Sequence, residues 1–472
     1  MTRIPFREKR FNLLGMRYDL EWVSCSRCIE SKNYFSCIVT AILMTITTDK
    51  GVMYFMKKFT NANIYGDPNS HEFLVENGQF TAIGNDVGDA DEVIDLQGRL
   101  VLPPYVDPHL HLDYIFSGLG EGNANVSGTL FEGIQRWSDN KKSLTEEMVR
   151  ERAIKGIQKE VSKGVQFIRT HVDITDPNLT GMKALVTLRE ELKDLVTLQL
   201  VAFPQEGFFR YEGAERLMEE ALEMGADVVG GIPHFEISYE HGVESLRRIV
   251  DMAIKHNVMI DIHCDENDDP NSRFLEVLNA LVMEKDYGKY TTASHTCSFG
   301  SVDNSYANKM LGLFKESQIN FISCPTENAH LQGRGDSYPK RRGLTRVKEL
   351  LNNGNNVAFA QDSIADYWYP LGNGNMMNIL DNGIHLAHYT HIDEINKALD
   401  LITYYGANIM RVNDAYGLEV GKPANFIVLD AQDPYEAIRE RAEVLMSVRN
   451  GGYLFKREPR KNEVEVDFLK QS

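Results

Sequence analysis

The sequence predicts an α/β fold, a closed (β/α)8 barrel of the TIM type. Two observations carry this prediction. Between residue 100 and about residue 410, eight short β-rich segments alternate with longer amphipathic segments, which is the pattern of parallel βα units. Histidine, carboxylate and amide side chains recur at the ends of these segments, and barrel enzymes place their active-site groups at the carboxyl ends of the strands.

The eight predicted strands have the short, apolar and β-branched character of buried parallel strands. They are residues 100–111, 165–173, 196–205, 226–236, 258–266, 290–296, 319–325 and 356–362. Two of the segments between them, "TEEMVRERAIKGIQKEVSKG" and "AERLMEEALEMG", end at Gly164 and Gly225, as helices often do. Eight repeats of strand and helix are the number that closes a barrel.

The composition is that of an ordinary globular enzyme. The chain has 472 residues, of which 43% are hydrophobic, so it can bury a large core as a single barrel with an appendage or as two to three domains. The net charge of −18 argues against nucleic acid or an anionic membrane as a partner. No apolar segment of the sequence approaches the ~20 residues of a membrane helix. The cysteine usage described next is that expected of a cytoplasmic protein.

The cysteines and the N-terminal segment support the same picture. Six cysteines are too few for a disulfide framework, and Cys264, Cys297 and Cys324 fall on or just after predicted strands, which suits reduced thiols. Residues 1–55 differ in composition from the rest, and "MKKFTNANIYG" from Met56 resembles a natural beginning. We therefore expect residues 1–55 to be an extension outside the fold.

Chemically capable side chains stand at the ends of six of the eight predicted strands. They are His109 and His111 on the first, Gln205 on the third, His234 and Glu236 on the fourth, His263 and Glu266 on the fifth, His295 on the sixth and Asp362 on the eighth. Histidines scattered through a core would not fall into this register, so the pattern indicates an enzyme.

A divalent metal site is the simplest use of four of these residues. His109 and His111 lie on one side of a strand, because side chains alternate with a period of two. With His263 and Asp362 they form a mixed nitrogen and oxygen set, which suits one Zn²⁺, Fe²⁺ or another first-row divalent ion with a position open for water.

The remaining residues predict hydrolysis. A metal lowers the pKa of a bound water towards neutrality, and Glu266, three residues after His263, is the candidate general acid and base. His295 is placed to hydrogen-bond the water or the forming oxyanion. The predicted reaction is hydrolytic attack on an sp² carbon, either C=O or C=N.

Long motifs resemble the bacterial cytosine deaminases of the amidohydrolase superfamily. They are "VDPHLHLD", "SGTLFEGIQRW", "RTHVDITDPNLT", "VAFPQEG", "ADVVGGIPHFE", "DIHCDENDD", "ASHT", "HLQGRGDSYPKRRGLTRVKELL" and "DYWYPLG". The similarity covers about residues 57–455. It implies deamination of a cytosine-type base, such as cytosine to uracil or 5-methylcytosine to thymine, with release of ammonia and with pyrimidine and water as the reaction partners.

The resemblance also implies roles for individual residues. The metal would be a single Fe²⁺ or Zn²⁺ bound by His109, His111, His263 and Asp362, and the fourth strand lacks the lysine that bridges two metals in dinuclear relatives. Glu266 would shuttle a proton to the ring nitrogen, while His295 and Asp362 would handle the attacking water.

The substrate pocket follows from the same resemblance. Gln205 would read the N1–H and C2=O edge of the ring, since an amide is both donor and acceptor, and Phe203 and Trp368 would wall the ring.

The chain ends are assigned by the resemblance as well. It implies a small β-sandwich built from residues 56–104 and 411–456 around a barrel of residues 105–410, with residues 457–472 as a tail. In "GKPANFIVLD" the alternation and turn residues favour strands independently. The family also implies a homo-oligomer.

Ser363 departs from the family pattern. Bacterial cytosine deaminases usually have His-Asp-Asp where this chain has Gln361, Asp362 and Ser363, and the second aspartate lies near the C5 edge of the pyrimidine. Serine is smaller and uncharged, so we predict tolerance of 5-substituted rings, 5-methylcytosine above all. A methyl group in a fitted pocket changes selectivity by ~10–200-fold.

Two alternatives stay open. One is hydrolysis of another cyclic amidine, such as isoguanine, a creatinine-like ring or an N-substituted triazine. The other is a non-catalytic barrel that serves as a binding protein, although such descendants lose metal ligands and none is lost here.

Overall fold

The computed structural model describes residues 12–13, 16–17 and 56–461. The chain divides into two units, Met1–Tyr54 and Phe55–Ser472. In the first, β1 (Asn12–Leu13) and β2 (Met16–Arg17) pair antiparallel. Most of the predicted extension, and residues 462–472 of the predicted tail, lie outside the described residues.

A seven-stranded sheet combines the two ends of the second unit. Its strands are β3 (Lys57–Ile64), β4 (Glu72–Glu76), β5 (Gln79–Gly84), β6 (Glu92–Leu102), β15 (Phe426–Leu429), β16 (Val444–Arg449) and β17 (Gly452–Lys456). They run in the order β17-β16-β15-β6-β3-β4-β5. A bridge between Gln79 and Pro423 shows that the sheet curls, and Phe59 and Phe73 stack inside it with ring centroids 4.8 Å apart.

Eight parallel strands form the barrel. They are β7 (Tyr105–Leu110), β8 (Val165–Asp173), β9 (Thr197–Phe203), β10 (Val228–Gly231), β11 (Met259–Cys264), β12 (Thr291–His295), β13 (Asn320–Ser323) and β14 (Val357–Phe359). Each pairs with the next in chain order, and a parallel bridge between Leu110 and Asp362 closes the ring. The predicted (β/α)8 barrel is confirmed, and where a small β-sandwich from both chain ends was predicted, the structure has the seven-stranded sheet described above.

Within residues 56–461, the α-helices lie between or after the barrel strands. They are α1 (Leu130–Asn140), α2 (Glu146–Val161), α3 (Thr180–Leu192), α4 (Ala214–Glu223), α5 (Tyr239–His256), α6 (Phe274–Glu284), α7 (Asn304–Ser317), α8 (Pro325–Leu331), α9 (Val347–Asn353), α10 (Met376–Leu386), α11 (Ile392–Ile395), α12 (Tyr404–Met410) and α13 (Pro434–Arg439). Side-chain caps fix several starts: Thr145 accepts from the N–H of Met148 and Ser238 from that of His241, each satisfying a free donor of the first turn. None of the helices in the described part of the chain has the length and hydropathy of a membrane-crossing segment.

Seven of the eight predicted strands extend beyond the observed ones, and β10 stops at Gly231, so His234 and Glu236 follow this strand instead of ending it. The differences at the first and eighth strands have clear local causes. The first predicted segment, residues 100–111, is divided between β6 and β7 by Pro103 and Pro104, which have no N–H to donate to a sheet. The eighth strand stops at Phe359, and Asp362 follows with φ of 65°. Asp362 therefore lies just past the strand, in the left-handed backbone conformation, which aspartate tolerates better than most residues.

Candidate active site

Three imidazoles and one carboxylate converge at the carboxyl end of the barrel. The Nε2 atom of His263 lies 3.3 Å from that of His109 and 3.2 Å from that of His111. The Oδ1 atom of Asp362 lies 3.4 Å from the Nε2 atom of His111 and 3.6 Å from that of His109. The chain thus brings together the four side chains that the sequence predicts as ligands.

These spacings fit a metal ion. Ligand atoms about 2.05 Å from a tetrahedral ion stand about 3.3 Å from one another, which is close to the observed separations. Burial, followed by the neighbouring histidines, lowers the pKa of His109 and His263 well below the usual value. Neutral imidazoles keep the lone pair that a metal needs. The ligand atoms of His109, His263, His295 and Asp362 also lie within 4.8 Å of one another.

A buried hydrogen-bond chain orients His109. Its Nδ1 atom lies 3.0 Å from the Ser294 hydroxyl, which donates to Asp261 at 2.6 Å. Arg169 donates to the other carboxylate oxygen of Asp261 at 2.9 Å. Because the Ser294 proton is given to Asp261, the hydroxyl can only accept from Nδ1–H of His109. This tautomer leaves the lone pair of His109 on Nε2, towards the centre.

Sequence reasoning missed these supporting residues, although a signal was present. Asp261 stands two residues before His263 on β11, and Arg169 two residues before His171 on β8. With a period of two, each shares a strand face with an imidazole. A charged side chain on the inner face of a buried strand needs a partner, and here the two partners are each other.

Glu266 and His295 lie next to the metal-binding group. The Nδ1 atom of His295 is 3.4 Å from Oε1 of Glu266 and 3.8 Å from Oδ2 of Asp362. The Asn328 side-chain amide donates to Oε1 of Glu266 at 3.0 Å. Burial, and then the charge of Asp362, raises the pKa of Glu266 well above its usual value, so this carboxyl holds a proton more readily than an exposed glutamate does.

A pocket opens beside these groups. Its lining residues are His111, Tyr114, Leu130, Gln205, Ile232, His263, Glu266, Glu327, Asp362, Ser363 and Trp368. The Tyr114 ring packs on Trp368 with centroids 4.5 Å apart, and its hydroxyl donates to Oε1 of Gln205 at 3.4 Å. Gln205, Ser363 and Trp368, which the sequence predicts as substrate contacts, all line this pocket, and so does Tyr114, which the sequence did not single out.

Phe203 has a different position from the one expected. It is absent from the pocket lining, and its ring stacks on the imidazole of His263 with centroids 4.1 Å apart and planes 15° apart. Phe203 therefore packs against His263, one of the four candidate metal ligands, and does not line the pocket. Glu236 also lies outside the pocket and accepts from the N–H groups of Phe208 and Phe209.

The surroundings of Ser363 are acidic. Its hydroxyl lies beside the carboxyl groups of Glu327 and Asp366. Both carboxyls are buried, and one oxygen of each has no hydrogen-bond partner. Ser363 is itself uncharged, as the sequence shows, but Glu327 brings a carboxyl to the same pocket. Glu327 was not among the predicted site residues; it lies four residues after the end of β13, in the first turn of α8.

The family is shown by comparison with known proteins. Residues 92–454 match the amidohydrolase family. The chain belongs to the amidohydrolase family. This amidohydrolase is 30% identical over 381 residues to N-isopropylammelide isopropyl amidohydrolase of Pseudomonas sp. (strain ADP), covering 79% of this chain and 90% of that protein. It is also 25% identical to a pterin deaminase of Rhizobium rhizogenes, over 72% of this chain and 76% of the relative.

A solved structure is more similar still. The crystal structure of 5-methylcytosine deaminase from Klebsiella pneumoniae, liganded with 5-fluorocytosine, is 49% identical with a TM-score of 0.83, covering 86% of this amidohydrolase and 99% of that chain. The predicted resemblance is confirmed. The amidohydrolase is a hydrolase that acts on C–N bonds, of a metal-dependent superfamily, and it carries a buried histidine and aspartate group able to bind the metal.

Proposed function

We propose that this amidohydrolase deaminates a cytosine-type base hydrolytically, giving the corresponding uracil-type base and ammonia. The observation that carries the proposal is the position of Glu266, which lies beside His295 and lines the same pocket as Gln205 and Trp368. The similarity to a 5-methylcytosine deaminase supports the same substrate class.

We propose that the metal is a single Fe²⁺ or Zn²⁺ bound by His109, His111, His263 and Asp362. When bound, it supplies a Lewis acid that lowers the pKa of a water molecule. The spacing of the four ligand atoms supports this assignment. Both ions accept such a mixed set, so metal analysis of the purified protein decides between them.

The proton transfers follow from the neighbours of the centre. Asp362 and His295 are placed to accept a proton from the attacking water, and Glu266 to protonate the ring nitrogen beside the carbon attacked. Attack forms a C–O bond, the C–N bond to the amino group breaks, and protonated nitrogen leaves as ammonia. The mutual contacts of His295 with Glu266 and Asp362 support a shared path for these protons.

Substrate binding would use pocket residues other than those that transfer protons. Gln205 presents an amide, which can accept from one ring N–H and donate to a neighbouring carbonyl. Trp368 would cover the ring face, braced by Tyr114.

We further propose that 5-methylcytosine is a better substrate than cytosine, because Ser363 leaves room at the C5 edge. The test compares kcat/KM for the two bases, by ammonia release, on protein of measured metal content. We expect 5-methylcytosine to be favoured, and Ser363→Asp to shift the ratio towards cytosine by about 10-fold or more. A preference for cytosine of about tenfold or more in the wild type would overturn the 5-methyl proposal and leave the deaminase proposal standing.

A second candidate is hydrolysis of an N-substituted triazine, which the relationship to the N-isopropylammelide enzyme favours. The two candidates share the metal chemistry and differ in the ring. Including N-isopropylammelide in the same assay separates them, and we expect both pyrimidines to exceed it. The reverse order would favour the triazine.

We also propose that residues 56–104 and 411–456 form one domain and residues 105–410 the barrel. The membership of β3–β6 and β15–β17 in one sheet supports this division. A homo-oligomer and a cytoplasmic location stay predictions from the sequence.

A further inference from the structure

Glu327 is an acid in the proposed substrate pocket that the deamination steps above do not use. It lies in the first turn of α8, lines the pocket and is only 1% exposed. Its Oε2 atom has no hydrogen-bond partner. Buried polar atoms in native proteins nearly always have a partner, and for an unpaired acceptor on a pocket-lining residue a ligand or a water molecule can supply it.

The position of Glu327 specifies which part of a ligand it would meet. Its carboxyl lies beside the Ser363 hydroxyl, and Ser363 lines the same pocket. Gln205, Glu266 and Trp368 already have proposed roles at other parts of the ring. The ring edge that faces Ser363 is therefore the edge that Glu327 can reach.

We infer that Glu327 is a specificity-determining residue that contacts the substrate, and that the pocket accepts cytosine-type bases bearing a hydrogen-bond donor, such as a hydroxymethyl group, on the edge facing Ser363. This inference rests on the proposed deaminase function, in which that edge is C5. A carboxyl accepts a hydrogen bond in either protonation state, because a protonated carboxyl keeps its carbonyl oxygen.

The 5-methyl and 5-hydroxymethyl substituents differ in whether they give Oε2 of Glu327 a hydrogen-bond donor. A 5-methyl group fills the space beside Ser363 but leaves Oε2 of Glu327 without a donor. A 5-hydroxymethyl group fills similar space and supplies the missing O–H. An apolar residue at position 327 would reverse the preference for the hydroxymethyl group, because the substrate hydroxyl would then be buried without an acceptor.

The test is the ratio of kcat/KM for 5-hydroxymethylcytosine to that for 5-methylcytosine. We expect Glu327→Leu to lower this ratio by about tenfold or more, the range for a hydrogen bond to a buried polar group. Glu327→Gln keeps a carbonyl acceptor, so its ratio should stay within about threefold of the wild type. A matched control is Glu206→Leu, since Glu206 neighbours Gln205 but pairs with Lys141 and does not line the pocket.

A measurement on the unaltered protein covers the case in which Glu327→Leu fails to fold. We expect 5-(hydroxymethyl)uracil to inhibit the wild type at least as strongly as thymine. A ratio in folded Glu327→Leu within about twofold of the wild type would overturn the inference, as would thymine binding about tenfold more tightly than 5-(hydroxymethyl)uracil. In both cases the proposed function stands if cytosine or 5-methylcytosine is deaminated. Absence of ammonia from every aminopyrimidine would overturn both.

Discussion

The backbone N–H of Asp362 donates a hydrogen bond of 2.8 Å to the carbonyl oxygen of His109. This bond joins the segment after β14 to β7 and so closes the barrel. The same two residues offer side-chain atoms to the metal-binding group, 3.6 Å apart. Closure of the fold and assembly of the centre thus depend on one pair of residues.

Asp362→Asn should separate the two roles. Asparagine tolerates the left-handed backbone and keeps the N–H bond to His109, but its neutral amide is a poorer ligand and base. We expect an unchanged fold by circular dichroism, lower metal content by elemental analysis, and activity reduced by at least about 100-fold. Asp381→Asn, which alters an ion pair with Arg441, is the control. Full metal content and activity in Asp362→Asn would remove Asp362 from the proposed site.

Ser294→Ala tests the chain that orients His109. Without the hydroxyl, Nδ1–H of His109 loses its acceptor and the metal-binding tautomer is no longer fixed. We expect metal affinity to fall by about 10–100-fold, measured by competition with a chelator. Ser245→Ala is a matched control, because Ser245 is buried and bonds only a helix carbonyl, that of Gly242. Equal metal affinity in the two variants would contradict the orienting role.

Glu266→Gln tests the proposed proton carrier. Glutamine keeps an oxygen that can accept from Asn328 but cannot deliver a proton to the ring. We expect kcat to fall by about 10²–10⁴-fold while metal content stays the same. Glu206→Gln, outside the pocket, should retain kcat. If kcat in Glu266→Gln fell by less than about tenfold, another group would have to carry the proton.

Asp366 predicts a pH dependence of stability. Burial raises the pKa of Asp366 to about 7 from 3.8. Since the folded state then holds a proton that the unfolded state releases, the free energy of unfolding falls as pH rises from about 4 to about 7 and then levels off. The fall is at most about 4 kcal/mol.

Urea unfolding at several pH values between about 4 and about 8 measures this fall. Asp366→Asn cannot titrate, yet its side-chain oxygen can still accept from the N–H groups of Trp368 and Tyr369 as Oδ1 does now. The free energy of unfolding of Asp366→Asn should therefore lack the decrease that Asp366 causes. Asp414→Asn, at an exposed position, should show the same pH dependence as the wild type. Parallel curves for Asp366→Asn and the wild type would show that Asp366 does not titrate in this range.

Much of the barrel and its centre could be predicted because both depend on local order in the chain. Alternating strands and helices fix the parallel sheet, and the period of two places His109 and His111 on one face. The carboxyl ends of parallel strands meet at one rim, so His263 and Asp362 could be assigned to the same centre before any distance was known.

Other features could not be predicted, because they depend on which elements pack against one another. Phe203 ends a strand like the true pocket residues, but packing places it behind His263. Glu327 lies on a short helix whose approach to the pocket has no signature in the sequence. Asp261 and Ser294 become an orienting chain only because β11 and β12 are neighbours.

The sequence by itself determined the fold class, the ligand types and the register in which they reach the barrel mouth, since strand periodicity and chain order are local properties. Tertiary structure decided the environment of those groups. Ser363, read from the sequence as the loss of a carboxylate, stands beside Glu327 and Asp366. The physical reason is that charge, burial and hydrogen bonding in a pocket are set by side chains distant in the chain, and only packing brings them into contact.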